Sequence, residues 1–260
     1  LSLFAISDIH LSFGVENKNM GIFKGWHEHS ARLRQNWNST VGAEDTVVIG
    51  GDVSWGKSLD EALADLRFVG SLNGSKIILK GNHDYWWRTV TKMKSFLNAN
   101  DVVGIEFLHN NAFRIGGVVL CGTRSWNADN FENCGISRFS DESDTKILDK
   151  ECGRLESSVL AGLELGEPSE IAVFLHYPPV WNGGGNERIL EILRKYSIKR
   201  VFSGHIHLSG NYDEFLKQVL IGEKYGIRFD MINADYLGFM PVKVKGTRTV
   251  PKLHIKRKDY

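Results

Sequence analysis

Short apolar, β-branched runs recur along the chain, and each stops abruptly at a polar or glycine-rich segment. Leu3-Phe4-Ala5-Ile6 runs into Asp8, Thr46-Val47-Val48-Ile49 into Gly50-Gly51-Asp52, and Lys76-Ile77-Ile78-Leu79-Lys80 into Gly81-Asn82-His83. Further on, Ile171-Ala172-Val173-Phe174-Leu175 ends at His176, and Arg200-Val201-Phe202 ends at Gly204-His205. Runs of this length and composition predict buried strands. Helical patterns lie between them: one around Glu28 to Trp37, one carrying Leu59, Leu63, Leu66 and Val69, one reaching about Leu97, and one carrying Ile189, Leu190 and Leu193. The second opens on Ser58-Leu59-Asp60-Glu61, a capping-box pattern.

Strand–loop–helix repetition predicts an α/β fold with a mostly parallel sheet and helices packed outside. In such sheets the loops at the carboxyl ends of the strands converge on one rim, where ligands bind. Residues 102 to 122 read as two strands joined by a turn near Asn110-Asn111. Residues 123 to 142 are polar and irregular and are expected to lie over the rim, and a charged helix is predicted from about Asp144 to Leu163. After Gly210 the pattern is strand-like again, from Phe229 to Ile232 and from Phe239 to Val244. With no repeat, low-complexity tract or linker, residues 1–260 read as a single domain.

Composition narrows the picture. An apolar fraction of 42% and a charged fraction of 24% are those of a globular protein. A net charge of +1 gives no global field to collect a polyanion, so a nucleic-acid partner is disfavoured. Cys121, Cys134 and Cys152 form no C-x-x-C pair, which points away from a disulfide framework and from a thiolate metal site. No run has the length to cross a bilayer, no membrane partner is expected, and the chain opens on a strand without a secretory signal. The expected compartment is the cytoplasm.

The strand exits carry the chemistry. Asp8-Ile9-His10, Gly51-Asp52, Gly81-Asn82-His83-Asp84, His176 and Gly204-His205-Ile206-His207 hold five of the nine histidines. Asp8 and His10 alternate around Ile9, and an extended strand end would project both to one side. Asp52 follows two glycines, which let the backbone turn sharply beneath a ligand. Asp8, His10, Asp52, Asn82, His176, His205 and His207 offer seven N and O donors and no thiolate. That is too many for one tetrahedral zinc ion and suits two divalent cations such as Mn, Fe or Zn. Each segment alone has an ordinary reading as a turn; all five together, at successive strand exits, do not.

The ordered series D-x-H, G-D, G-N-H-D, H, G-H-x-H resembles the calcineurin-like metallophosphoesterase superfamily, and the resemblance spans residues 8 to 207. It implies a four-layer αββα sandwich with a dinuclear centre at the carboxyl ends of the strands. By the same resemblance, Asp8, His10 and His207 would hold one metal and Asn82, His176 and His205 the other, with Asp52 bridging them. His83 would face the phosphate and Asp84 would orient it. The implied reaction is phosphate-ester hydrolysis by in-line attack of a metal-bridging hydroxide.

Departures from the pattern bear on the substrate. Protein Ser/Thr phosphatases of the family resemble G-D-x-V-D-R-G at the second motif, whereas this chain reads Gly51-Asp52-Val53-Ser54-Trp55-Gly56-Lys57. Without that arginine a phosphoprotein substrate is disfavoured, and the chain looks more like the small bacterial predicted-phosphohydrolase branch. A small phosphate ester, of phosphodiester or nucleotide type, is the expected substrate. A nuclease and a non-catalytic interaction scaffold are the alternatives. Trp55, Trp86, Trp87, Trp126, Tyr177 and Trp181 crowd the motifs, either to stack a planar group or to pack beneath the loops, the latter favoured for Trp86 and Trp87. Arg124 reads equally as a phosphate clamp or as an ordinary salt-bridged arginine. His27 and His29 fit a solvated helix start and are not counted as ligands. The basic end, from Lys243 to Lys258, reads as a solvated segment, part of it an edge strand, in preference to an RNA- or membrane-contacting tail.

Overall fold

A computed structural model describes residues 1–16, 18–126, 142–208 and 211–244. Four strands, β1 (Leu3–Ile6), β2 (Thr46–Ile49), β3 (Ser75–Leu79) and β4 (Ile105–Leu108), run parallel in one sheet. A second sheet is built on β5 (Phe113–Ile115), β6 (Val118–Thr123) and β7 (Ile171–Leu175), followed after a small ribbon, β8 (Val180–Trp181) with β9 (Gly184–Gly185), by β10 (Arg200–Ser203), β11 (Gly222–Lys224) and β12 (Ile227–Met231). Its order is β11-β12-β10-β7-β6-β5, parallel inside and antiparallel at both edges. The last strand, β13 (Val242–Lys243), returns to the first sheet and pairs antiparallel with β1.

The two sheets lie face to face. Leu3, Ala5, Val48, Ile77 and Leu79 of the first pack against Leu120, Ala172, Phe174 and Phe202 of the second. The outer face of the first sheet is covered by α1 (His29–Thr40), α2 (Leu59–Ser71) and α3 (Val90–Ala99), through residues such as Leu33, Trp37, Leu66 and Leu97. The outer face of the second is covered by α4 (Glu142–Leu163) and α5 (Glu187–Lys195), through Leu155, Val159, Ile189 and Leu193. The result is the four-layer αββα sandwich. Because both faces of each sheet are covered, the central strands are apolar throughout rather than alternating.

Local chemistry explains the element ends. Ser58 accepts a hydrogen bond from Glu61 N (3.2 Å), as an N-cap should. The Glu61 carboxylate reaches back to Lys57 N (2.7 Å) rather than to the cap residue itself. At the other end of α2, Lys76 of β3 is buried and its Nζ donates to the carbonyls of Gly70 (3.1 Å), Leu72 (2.8 Å) and Gly74 (2.8 Å). The ammonium thereby caps a helix carboxyl end that would otherwise leave carbonyls unpaired.

Three sequence expectations need correction. The stretch around 102 to 122 holds three strands rather than two: the turn near Asn110-Asn111 carries the chain from β4 in one sheet to β5 in the other, and β5 pairs antiparallel with β6. The stretch after Gly210 is not strand-like throughout, because α6 (Tyr212–Gln218) forms there with Asn211 as its N-cap. Phe239 precedes the final strand rather than opening it. Cys134, most of the polar stretch from 123 to 142, and the basic end beyond Val244 lie outside the described residues. Among the described residues no helix is long and apolar enough to cross a membrane.

Candidate metal centre

All five motif segments leave the carboxyl ends of β1, β2, β3, β7 and β10, and the sheets are stitched together there. Ser7 N donates to Ile232 O and Ala234 N to Ser7 O, both at 2.8 Å; within the second sheet Gly204 N donates to His176 O at 3.1 Å. The exits are not extended, contrary to the expectation for Asp8 and His10. Asp8, His10, Asp52 and His205 have φ of 57°, 43°, 53° and 73°, in the left-handed region. Each such residue costs about 1–2 kcal/mol, though Asp and His tolerate the region better than most. Sharp turns, not strand alternation, aim these side chains. Two glycines allow the close approach: a Cβ at Gly81 would overlap Asp52 Oδ1, and one at Gly204 would overlap Asp8 Oδ2.

The donors gather in two groups. Atoms of Asp8, His10 and His207 lie within 4.8 Å of one another, as do atoms of Asp8, Asp52 and His176. His10 Nε2 is 3.0 Å from His207 Nε2. Asn82 Oδ1 stands 2.6 Å from His176 Nε2 and 2.9 Å from His205 Nδ1. Asp8 is common to both groups, and Asp52 Oδ2 of the second stands 3.7 Å from His10 Nε2 and 3.6 Å from His176 Nε2. The structure therefore brings all seven sequence-predicted donors together.

Electrostatics fits a cation. His176 Nδ1 lies 3.0 Å from Gly50 O, which can only accept, so Nδ1 carries the proton of the neutral ring. Its Nε2 lone pair then faces the oxygens of Asn82 and Asp52, so acceptors converge with no proton between them. Burial pushes Asp52 well above the usual carboxylate range, with the Asp8 and Asp84 charges adding to it. Burial also raises Asp8, to about 6, against the opposing pull of His207. Burial drives His10 and His176 well below the ordinary imidazole value and His205 to about 3. At His207 burial is outweighed by the hydrogen bond it donates to Asp235 and by the Asp8 and Asp235 charges, so its pKa rises. Hard and borderline donors crowded in this way are what a divalent cation stabilises.

Asp84 does not orient His83 through any hydrogen bond recorded in the structure. Its buried carboxylate accepts instead from the backbone N–H of Gly81 (2.7 Å), Asp52 (2.9 Å), Val53 (2.9 Å) and Ser54 (3.4 Å), and from Trp86 Nε1 (3.0 Å). It ties the second motif loop to the third. His83 is positioned by its backbone N–H, which donates to Asp52 Oδ1 (2.8 Å), and by the Trp55 ring 4.4 Å away. Burial lowers His83 to about 4. Arg124 lies 3.3 Å from the buried Glu151 carboxylate and 4.8 Å from the Trp126 ring centre. His29 is not solvated; it is partly buried between Trp26 (5.3 Å) and Phe239 (5.9 Å). Trp86 and Trp87 are buried in the core, as favoured.

Sequence reasoning missed Asp235, Asn233 and Trp26. Asp235 Oδ2 accepts from His207 Nδ1 (3.2 Å) and Leu208 N (2.8 Å), and Asn233 Nδ2 donates to Asp8 Oδ2 (3.3 Å). The signal was present, because both residues sit just past an apolar run ending at Ile232.

A two-sheet α/β sandwich with carboxylate, amide and imidazole donors at its strand exits defines a class of phosphate-ester hydrolases. The chain belongs to the calcineurin-like phosphoesterase family, whose model matches residues 1–209. Membership supports a phosphoester hydrolase, and the family implies divalent metal ions. Among curated proteins it is similar to the gene 66 protein of Mycobacterium phage L5, 35% identical over 78 residues. That match covers 30% of this chain and 37% of the phage protein, little more than a third of the relative's length. Among solved structures, phosphopantetheinyl hydrolase from Mycobacterium tuberculosis is similar over 95% of this chain and 96% of that one, with a TM-score of 0.56 and 14% identity. Protein AQ665 of unknown function from Aquifex aeolicus is similar over 93% and 95%, with a TM-score of 0.48 and 17% identity.

Proposed function

We propose that this single-domain chain is a metal-dependent phosphoesterase acting on a small phosphodiester or nucleotide-type ester. In this reading Asp8, His10 and His207 hold one divalent cation, Asn82, His176 and His205 hold a second, and Asp52 is shared. The position of Asp52 Oδ2, between His10 Nε2 and His176 Nε2 at nearly equal distances, carries the assignment. Bound cations would supply Lewis acidity at the phosphoryl oxygens and acidify water.

The remaining roles belong to the chain's own groups. The main-chain contact from His83 to Asp52 sets the imidazole at the edge of the donor cluster. From there its side chain stabilises phosphoryl charge or protonates the departing alkoxide. A step of that kind is typically worth about 10²- to 10⁴-fold. Asp84 keeps Asp52 and Asn82 in one frame by clamping their two loops.

Metal content by mass spectrometry, followed by a metal-reconstituted screen of mono- and diesters, tests the reading. We expect about two equivalents of Mn, Fe or Zn and a metal-dependent rate. Asp52→Asn should lose both together. His83→Ala should keep its metal and lose roughly 10²- to 10⁴-fold in kcat on an alkyl diester. A metal-free wild-type protein after reconstitution overturns the proposal, and an undiminished rate in His83→Ala removes that residue from the mechanism.

A further inference from the structure

Beside the cluster of Asp8, His10 and His207 lies a cavity of about 240 Å3. Its sides are Met20, Phe23, Trp26 and Trp55, and the imidazoles of His10, His83 and His207 close its inner end. Trp55 stacks on His10 with ring centres 5.0 Å apart, and Trp26 lies 5.5 Å from His207 on another side. Among the described residues no carboxylate or guanidinium lines it, and the Lys18 ammonium stands 4.6 Å from the Trp55 ring centre. Once His10 and His207 are engaged as ligands, the cavity offers a visitor mainly indole, phenyl and thioether surface.

Size and shape narrow the visitor. An apolar cavity of about 150 Å3 holds a benzene ring, while whole-ligand pockets run from about 300 Å3 upward. A space of 240 Å3 is therefore a compartment for one part of a substrate, a planar group of one or two rings. Flat aromatic walls favour a flat occupant, because ring faces stack best on ring faces. The entrance is itself apolar: the 3-10 turn Met20–Ile22 turns Met20 inward, while Ile22 and Phe23 are 76% and 55% exposed. Leaving such side chains uncovered beside a polar centre is costly unless a ligand covers part of them.

We infer that this cavity binds a planar aromatic group carried on the phosphate ester, placing that group against Trp26 and Trp55 while the phosphate meets the donor cluster. The inference rests on the phosphoesterase reading and names the class of substrate that reading leaves open. Stacking on an aromatic side chain is worth about 1–3 kcal/mol, which corresponds to roughly 5- to 150-fold in affinity.

The test uses calorimetric binding of two non-hydrolysable probes to the Mn-loaded protein, methylphosphonate and phenylphosphonate. Phenylphosphonate should bind roughly 5- to 150-fold tighter. Phe23→Ala, at an exposed position that does not threaten folding, should shrink that ratio while leaving methylphosphonate affinity unchanged. Equal affinities for the two probes in the wild type overturn the aromatic compartment and leave the phosphoesterase reading standing. If neither phosphonate nor orthophosphate binds the Mn-loaded protein, the phosphoesterase reading falls and the compartment falls with it.

Discussion

A carboxylate can matter more for what it holds still than for what it touches chemically. Asp84 accepts five hydrogen bonds, four of them from backbone amides of two loops. Asp235 does comparable work on the opposite side, fixing the tautomer of His207 and the turn after it. Partners of this kind orient a ligand and raise its basicity. Asp235→Ala should therefore weaken divalent-metal affinity by about 10- to 100-fold, read by titration with Mn or Zn; an unchanged dissociation constant would mean that His207 needs no help. The seven donors are legible in the sequence because each belongs to a short motif at the end of an apolar run. Asp84's clamp and Asp235's support are not, because they depend on which backbone amides meet after separate loops have folded.

At the scale of elements, α2 shows how a helix is fastened to the site. Asp65 on its inner face is buried and accepts from Ser54 Oγ and from Phe13 N (2.7 Å), which links α2 to the first two motif loops. Burial raises its pKa from 3.8 to about 6. Between those values the folded protein holds a proton that the unfolded chain has released, so this group's contribution to stability falls as pH rises from about 4 to 6. The effect is of the order of 3 kcal/mol. Asp65→Asn, which keeps the shape and cannot ionise, should flatten that part of the profile in urea unfolding measured from pH 4 to 7. An identical slope in variant and wild type would show that Asp65 does not titrate in this range. Helix existence was readable here from the Ser58 cap and the leucine spacing. The second sheet was implied by the family resemblance and not by local pattern, since β5 and β6 follow β4 closely; the pairing of β4 with β3 and of β5 with β6 shows the crossing. Likewise α6, seven residues long, is too short for periodicity to announce it.

Across the whole molecule, buried acceptors facing one another make the ion-free centre a source of destabilisation. A cation that binds only the folded state stabilises it by mass action, about 2.7 kcal/mol at a hundredfold excess over Kd. For a chain of this size that is roughly 5–10 °C in Tm. We expect Mn or Zn to raise the melting temperature by this amount and EDTA to reverse it, followed by scanning calorimetry. A melting temperature indifferent to both would contradict the electrostatic picture of the centre.

The seam between the sheets, where Ser7 pairs with Ile232 and Ala234, divides ownership of that centre. Asp8, His10, Asp52 and Asn82 leave the first sheet, and His176, His205 and His207 leave the second. On the proposed ligand set, neither sheet alone supplies all the donors. A chain that has emerged only as far as residue 175 still lacks three of the seven proposed donors, all of which the later strands carry.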